Sequence, residues 1–63
     1  MTERMRQVLD GIADGEKNHE IGQRLQISPK TVEKHRAALY QEFRCDNAVT
    51  LVLLALRQGI IRL

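Results

Sequence analysis

Sixty-three residues with a formal net charge of +2 make one small domain at most. A chain of this size buries only about 60% of its unfolded surface, so its stability is marginal and there is no room for a substantial substrate pocket. Cys45 is the only cysteine, which excludes a disulfide framework and suits a reducing cytoplasm.

The first predicted helix covers about residues 3–14. Thr2 supplies a capping hydroxyl and Gly15 an end. Met5, Val8, Leu9, Ile12 and Ala13 follow the i, i+3, i+4, i+7, i+8 pattern of a helix packed on one side. Asp10 and Asp14 fall on the watered side, and the charged Glu3, Arg4 and Arg6 give no sign of a signal peptide. A second, shorter helix is predicted over 18–25, with Ile21 and Leu25 as an i, i+4 apolar pair and Asn18 as its cap. Lys17, just ahead of it, either reaches a phosphate or stands as an exposed loop lysine. Gly22 lets two crossing backbones approach closely.

Gln26-Ile27-Ser28 is a tight connection into the third predicted helix, 29–43. Ser28-Pro29 is a strong start signal: the hydroxyl can accept a first-turn N–H, and Pro29 has a pre-set φ and no donor to lose. Val32, Leu39 and Phe43 form its buried stripe, while Lys30, Glu33, Lys34, Ala37 and Gln41 share the opposite face. Short helix, tight turn and capped longer helix make a helix-turn-helix, in which the second helix reads the major groove. Residues 28–44 also carry two lysines and two arginines against two glutamates, the largest positive excess in the chain.

The fourth predicted helix, 47–58, starts at the N-cap Asn47 and stops at Gly59. Its Leu51-Val52-Leu53-Leu54-Ala55-Leu56 run is apolar on more than one face. Val49, Val52, Leu53 and Leu56 suffice to close a core, which leaves Leu51, Leu54 and Ala55 over. Surplus apolar residues on a small domain point to a partner surface, expected to be a weak homodimer contact through the last helix, against the alternative that a tiny core recruits both flanks. The fold class is therefore a compact all-α, four-helix domain.

The run Gly15-x-x-Asn18-x-Glu20-Ile21-Gly22-x-x-Leu25-x-Ile27-Ser28-x-Lys30-Thr31-Val32-x-x-His35-Arg36 resembles the LuxR/FixJ-type (GerE-like) helix-turn-helix DNA-binding domain of bacterial transcription regulators. Thr2-Glu3-Arg4 with Val8-Leu9 is similar to its opening, and Arg57-Gln58-Gly59-Ile60-Ile61 to its close. Met5 stands where that family usually has a glutamate closing a capping box, and Lys17 where it often has Ser or Thr. The resemblance implies that residues 1–63 are one DNA-binding domain, the C-terminal part of a longer cytoplasmic regulator. It implies a dimer contact through the last helix and leaves room for RNA polymerase and an N-terminal receiver or ligand-binding domain as partners.

Phosphate contacts position such a protein and base contacts give it specificity. Candidates for phosphate are Lys17, Ser28 with the N–H groups it caps, Lys30, Thr31, His35 and Arg36. His35 has two open readings, a phosphate contact or a packed, hydrogen-bonded side chain. Arg36 flanks the apolar stripe, so its stem is expected to pack while its head reaches outward. The outward positions Glu33, Lys34 and Ala37 are the base-reading candidates, the same positions that the resemblance implies. Lys34 suits guanine O6/N7, Glu33 a cytosine amino group and Ala37 a thymine methyl. Phosphates repel a carboxylate in the groove, so pairing of Glu33 with Lys30 or with a neighbour of Lys34 is the preferred reading for it.

Catalysis is set aside. His19, His35 and Cys45 are too few and too scattered for a zinc site, no glycine-rich phosphate loop exists, and no cofactor is expected. Two alternatives remain: a helix-turn-helix adaptor that binds protein, and a sigma-factor C-terminal-like domain.

Overall fold

Four helices form, α1 (Glu3–Ala13), α2 (Asn18–Leu25), α3 (Pro29–Phe43) and α4 (Ala48–Arg57), and no strand occurs among the described residues. The structure, a computed structural model, describes residues 1–62, so Leu63 of the expected domain lies outside it. Three starts are capped by the side chains the sequence offers. Thr2 Oγ1 accepts from Met5 N at 3.1 Å, Ser28 Oγ from Thr31 N at 3.1 Å, and Asn47 Oδ1 from Thr50 N at 2.8 Å.

The fourth start differs from expectation. Lys17, in extended conformation (φ −82°, ψ 163°), holds the cap position of α2, and Asn18 is already inside the helix. Glu20 reaches back to accept from Lys17 N at 2.7 Å. The reciprocal half of a capping box is chemically closed, because an ammonium group has no lone pair with which to accept. Asn18 is thereby released for another bond.

All four helices end alike. A left-handed residue comes immediately after α2 and α3 and one residue later after α1 and α4, and the next N–H bonds back across the last turn: Glu16 to Gly11 O, Ile27 to Gly22 O, Cys45 to Tyr40 O and Ile60 to Ala55 O, at 2.9–3.0 Å. Gly15 (φ 81°) and Gly59 (φ 72°) adopt this conformation without a side-chain penalty. Gln26 (φ 59°) and Arg44 (φ 55°) adopt it despite a Cβ, each under a local cost of about 1–2 kcal/mol.

The core runs through all four helices and the tail: Val8, Leu9, Ile12, Ile21, Val32, Leu39, Phe43, Leu51, Ala55 and Ile61. α1 and α2 both pack on α3, and α4 closes against α1 and α3. Arg4 adds a directional tie from α1 to the end of α2, donating to Leu25 O at 3.1 Å. Gly22 is required at the turn, since a Cβ there would stand 2.6 Å from Ile27 O.

The expected division of α4 is reversed at Leu51, Ala55, Val49 and Leu53, while Val52 and Leu56 pack against the core as expected. Leu51 and Ala55, assigned to a free surface, are fully buried, and Leu54 is half-buried against the core. Val49 and Leu53, assigned to the core, are 71% and 59% exposed. The tail decides which side turns inward. Ile60 bonds back to Ala55 O, and Ile61 is then 4% exposed in the same cluster as Leu51 and Ala55.

Candidate nucleic-acid interface

The turn between α2 and α3 presents the start of α3 outward. Gln26 in the left-handed conformation reverses the chain, Ile27 is half-buried, and Ser28 (φ −71°, ψ 154°) opens α3. Ser28 Oγ lies 3.0 Å from Thr31 Oγ1 as well as accepting from Thr31 N, so the two hydroxyls form one polar cluster at the helix start. Pro29 has no N–H and Thr31 N is already bonded, which leaves Lys30 N–H as the first-turn donor without an intrahelical acceptor. An anion approaching this end meets that N–H, two hydroxyls and the exposed Lys30.

Along the outer face of α3, Lys30, Glu33, Lys34, Ala37 and Gln41 are all exposed, while Val32, Leu39 and Phe43 are buried beneath. The expected pairing of Glu33 is not made. Among the described residues the ion pairs are Arg24 with Glu16, Arg6 with Asp10, and the terminal amine with Glu42. Glu33, Lys30 and Lys34 point into solvent as three separate charges. Thr31 and His35 are half-buried on the flank, and Lys17 is exposed at the start of α2.

Arg36 departs from its expected placement. Its head does not extend freely outward: Nε donates to Tyr40 Oη at 3.0 Å and Nη1 to Asn18 Oδ1 at 2.9 Å, both partly buried. The i, i+4 spacing of Arg36 and Tyr40 was readable from the chain. The Asn18 bond, across 18 positions, was hidden by giving Asn18 the capping role that Lys17 and Glu20 fill.

Behind the turn, Arg24 and Glu16 form a bidentate pair, with bonds of 2.7, 3.1 and 3.2 Å. These hydrogen bonds hold the Glu16 carboxyl below its ordinary value, with the guanidinium charge adding and desolvation opposing; the same bonds raise Arg24. Gly11 accommodates the pair, since a Cβ there would meet Glu16 Oε1 at 2.6 Å and Arg24 Nη2 at 2.9 Å.

This arrangement of a capped reading helix over a tight turn coincides with a family match. The model of bacterial regulatory proteins of the luxR family matches residues 1–55. The chain belongs to that family. It is a helix-turn-helix domain of the kind that binds DNA in transcription regulation. It is 40% identical over 60 residues to the uncharacterized response regulatory protein YgeK of Escherichia coli K12, covering 95% of this chain and 41% of that one. It is 41% identical over 59 residues to the transcriptional regulatory protein FixJ of Rhizobium meliloti, covering 94% and 29%. The response regulator UvrY of Escherichia coli K12 is 35% identical over 60 residues, covering 95% and 28%. The chain thus spans less than half the length of these curated relatives. No solved structure gives a significant match. Among the described residues no helix is long and apolar enough to cross a membrane.

Proposed function

We propose that the chain binds double-stranded DNA sequence-specifically, laying α3 in the major groove. One observation carries the reading: five polar or small side chains on one side of α3 are exposed and make no hydrogen bond or ion pair among the described residues, whereas the opposite side is committed to the core. Lys34, Glu33 and Ala37 read bases, respectively guanine O6/N7, a cytosine amino group and a thymine methyl. Lys30, Thr31, Ser28 and its neighbouring N–H group grip one phosphate, with His35 and Lys17 at the flanks. A duplex partner places this work in the cytoplasm. As the relatives named response regulators are longer, a receiver or ligand-binding domain preceding this one, and contact with RNA polymerase, belong to the same reading.

Lys30→Ala tests the grip. Loss of one phosphate contact weakens binding to every duplex and lowers the slope of log K against log salt by about one unit. An unchanged slope removes Lys30 from the interface. Binding to duplex DNA that does not respond to salt, or no binding, favours the adaptor alternative.

A single module of this size buries only about 600–1,000 Å² on DNA, so two copies on an inverted repeat supply the missing affinity. Their contact falls on the exposed side of α4, where Val49 and Leu53 border a shallow groove of about 310 Å³ shared with Ile12, Ala48, Val52 and Leu56. The patch is small, so the free domain is mostly monomeric and pairs on DNA.

A further inference from the structure

Base contacts demand a tighter placement of α3 than phosphate contacts do, because hydrogen bonds to base edges fail within fractions of an ångström while long lysines follow a displaced backbone. What sets that placement is therefore a question about specificity. Apolar packing of α2 on α3 is non-directional, and the Gly22 contact fixes only the turn end of the pair. At the opposite end of α2 a directional link exists. Asn18, in the first turn of α2, accepts from Arg36 in the middle of α3, and Tyr40 one turn further along holds the same guanidinium from the other side. A planar guanidinium held by two acceptors has little freedom to swing. Both bonds are partly buried, so water competes with them less than it would at an exposed pair.

Neighbouring residues give the link its meaning. Asn18 directly follows Lys17, and Arg36 directly precedes Ala37 on α3, three positions after Glu33. The Asn18–Arg36 bond thus spans from the start of α2, where Lys17 stands exposed, to the base-reading stretch of α3. We propose that Arg36 is a positioning residue: held by Asn18 and Tyr40, it sets the angle between α2 and α3 and so the register of α3 against the bases. This rests on the DNA-binding reading above. It differs from a phosphate contact in what it controls. A phosphate contact supports all sequences alike, whereas this link supports discrimination between them.

The test uses the whole 63-residue chain and two labelled duplexes of equal length, one selected from a random pool by the unaltered chain and one of mixed sequence. Asn18→Ala removes the acceptor and leaves the charge of Arg36 in place. The ratio of affinities for the two duplexes is expected to fall about tenfold, the discrimination of one well-made base contact, with the salt slope unchanged. Adding Arg36→Met to Asn18→Ala should lower the ratio little further, since both remove one link. Asn18→Asp, which keeps the accepting oxygen, should restore the ratio even where its charge lowers overall affinity. Thermal unfolding of each variant shows whether it is folded. Should Asn18→Ala fail to fold, Tyr40→Phe, which deletes only the hydroxyl, must lower the ratio in its place. A ratio that stays constant in the folded variants, or an Arg36→Met variant whose slope drops by about one with the ratio intact, overturns the proposal and makes Arg36 a phosphate contact. If the unaltered chain binds both duplexes alike, or neither, the DNA-reading function itself fails, and the role of Arg36 with it.

Discussion

α3 and α4 differ in what their outer sides are made of: charged and polar residues on α3, mostly apolar ones on α4. α3 alternates Val32, Leu39 and Phe43 against Lys30, Glu33, Lys34, Ala37 and Gln41, and no rotation of the helix can bury the second set without burying charge. α4 carries Val49, Leu51, Val52, Leu53, Leu54, Ala55 and Leu56, so several rotations bury a similar apolar area. Periodicity fixes the buried stripe of α3 narrowly, whereas on α4 only Thr50 and Arg57 mark a polar side and leave a wide apolar arc. The partner helices and the returning tail choose, turning Leu51 and Ala55 inward and Val49 and Leu53 outward.

The sharpest way to break that comparison is to put a charge on each side of α4. Leu51→Glu places a carboxylate at a fully buried position and is expected to unfold the domain, because even Leu→Ala at such sites costs about 2–5 kcal/mol. Leu53→Glu, at 59% exposure, should leave circular dichroism and binding to a single half-site intact while abolishing the two-to-one complex on an inverted repeat, as read by sedimentation. Equal loss of fold in both variants would mean that α4 has no free side.

On α3 the corresponding change costs function and not fold. Lys34→Ala should leave the thermal midpoint nearly unchanged and lose about 1–3 kcal/mol of binding with relaxed preference at one position of each half-site. If a repeated site selection returns the same motif, Lys34 contacts phosphate. Ser28→Ala, at the start of the same helix, removes the acceptor of Thr31 N and should cost about 1 kcal/mol of stability, or ~4–8 °C in the thermal midpoint.

Smaller effects come from the helix ends. Arg44→Gly relieves a left-handed arginine and should stabilise the fold by roughly 0.5–1 kcal/mol, the penalty of the Cβ less the extra chain entropy of glycine. A lowered thermal midpoint would mean that the arginine side chain supplies more than its backbone loses. The smallest effect is the Glu16–Arg24 pair. The folded carboxyl is depressed, so its contribution is complete above the ordinary carboxylate range, about 4.3, and is lost as pH falls through the folded value. Glu16→Gln should remove that part of the acid sensitivity, visible as convergence of the two thermal midpoints at low pH.

Most of the fold was legible because it is written in local contrasts. Thr2, Ser28-Pro29 and Asn47 mark starts, Gly15 and Gly59 mark ends, and the stripes of α1 and α3 name their own buried residues. These signals need no knowledge of the neighbours, since a cap or a turn is closed within four or five residues. The outer face of α3, and with it the candidate base-reading set, was legible for the same reason.

Only the tertiary structure decided the remainder. Glu20 satisfies the start of α2, which frees Asn18 to take Arg36 across 18 positions. Gln26 and Arg44, both exposed, end α2 and α3 in a left-handed conformation their side chains disfavour. The orientation of α4 waits on α1, α3 and a tail that folds back over Ala55. Sequence alone determines a choice when one local arrangement is far cheaper than the others. Where the alternatives are nearly equal locally, as for a helix with a wide apolar arc or an amide with two available bonds, the choice belongs to the contacts that only the assembled chain makes.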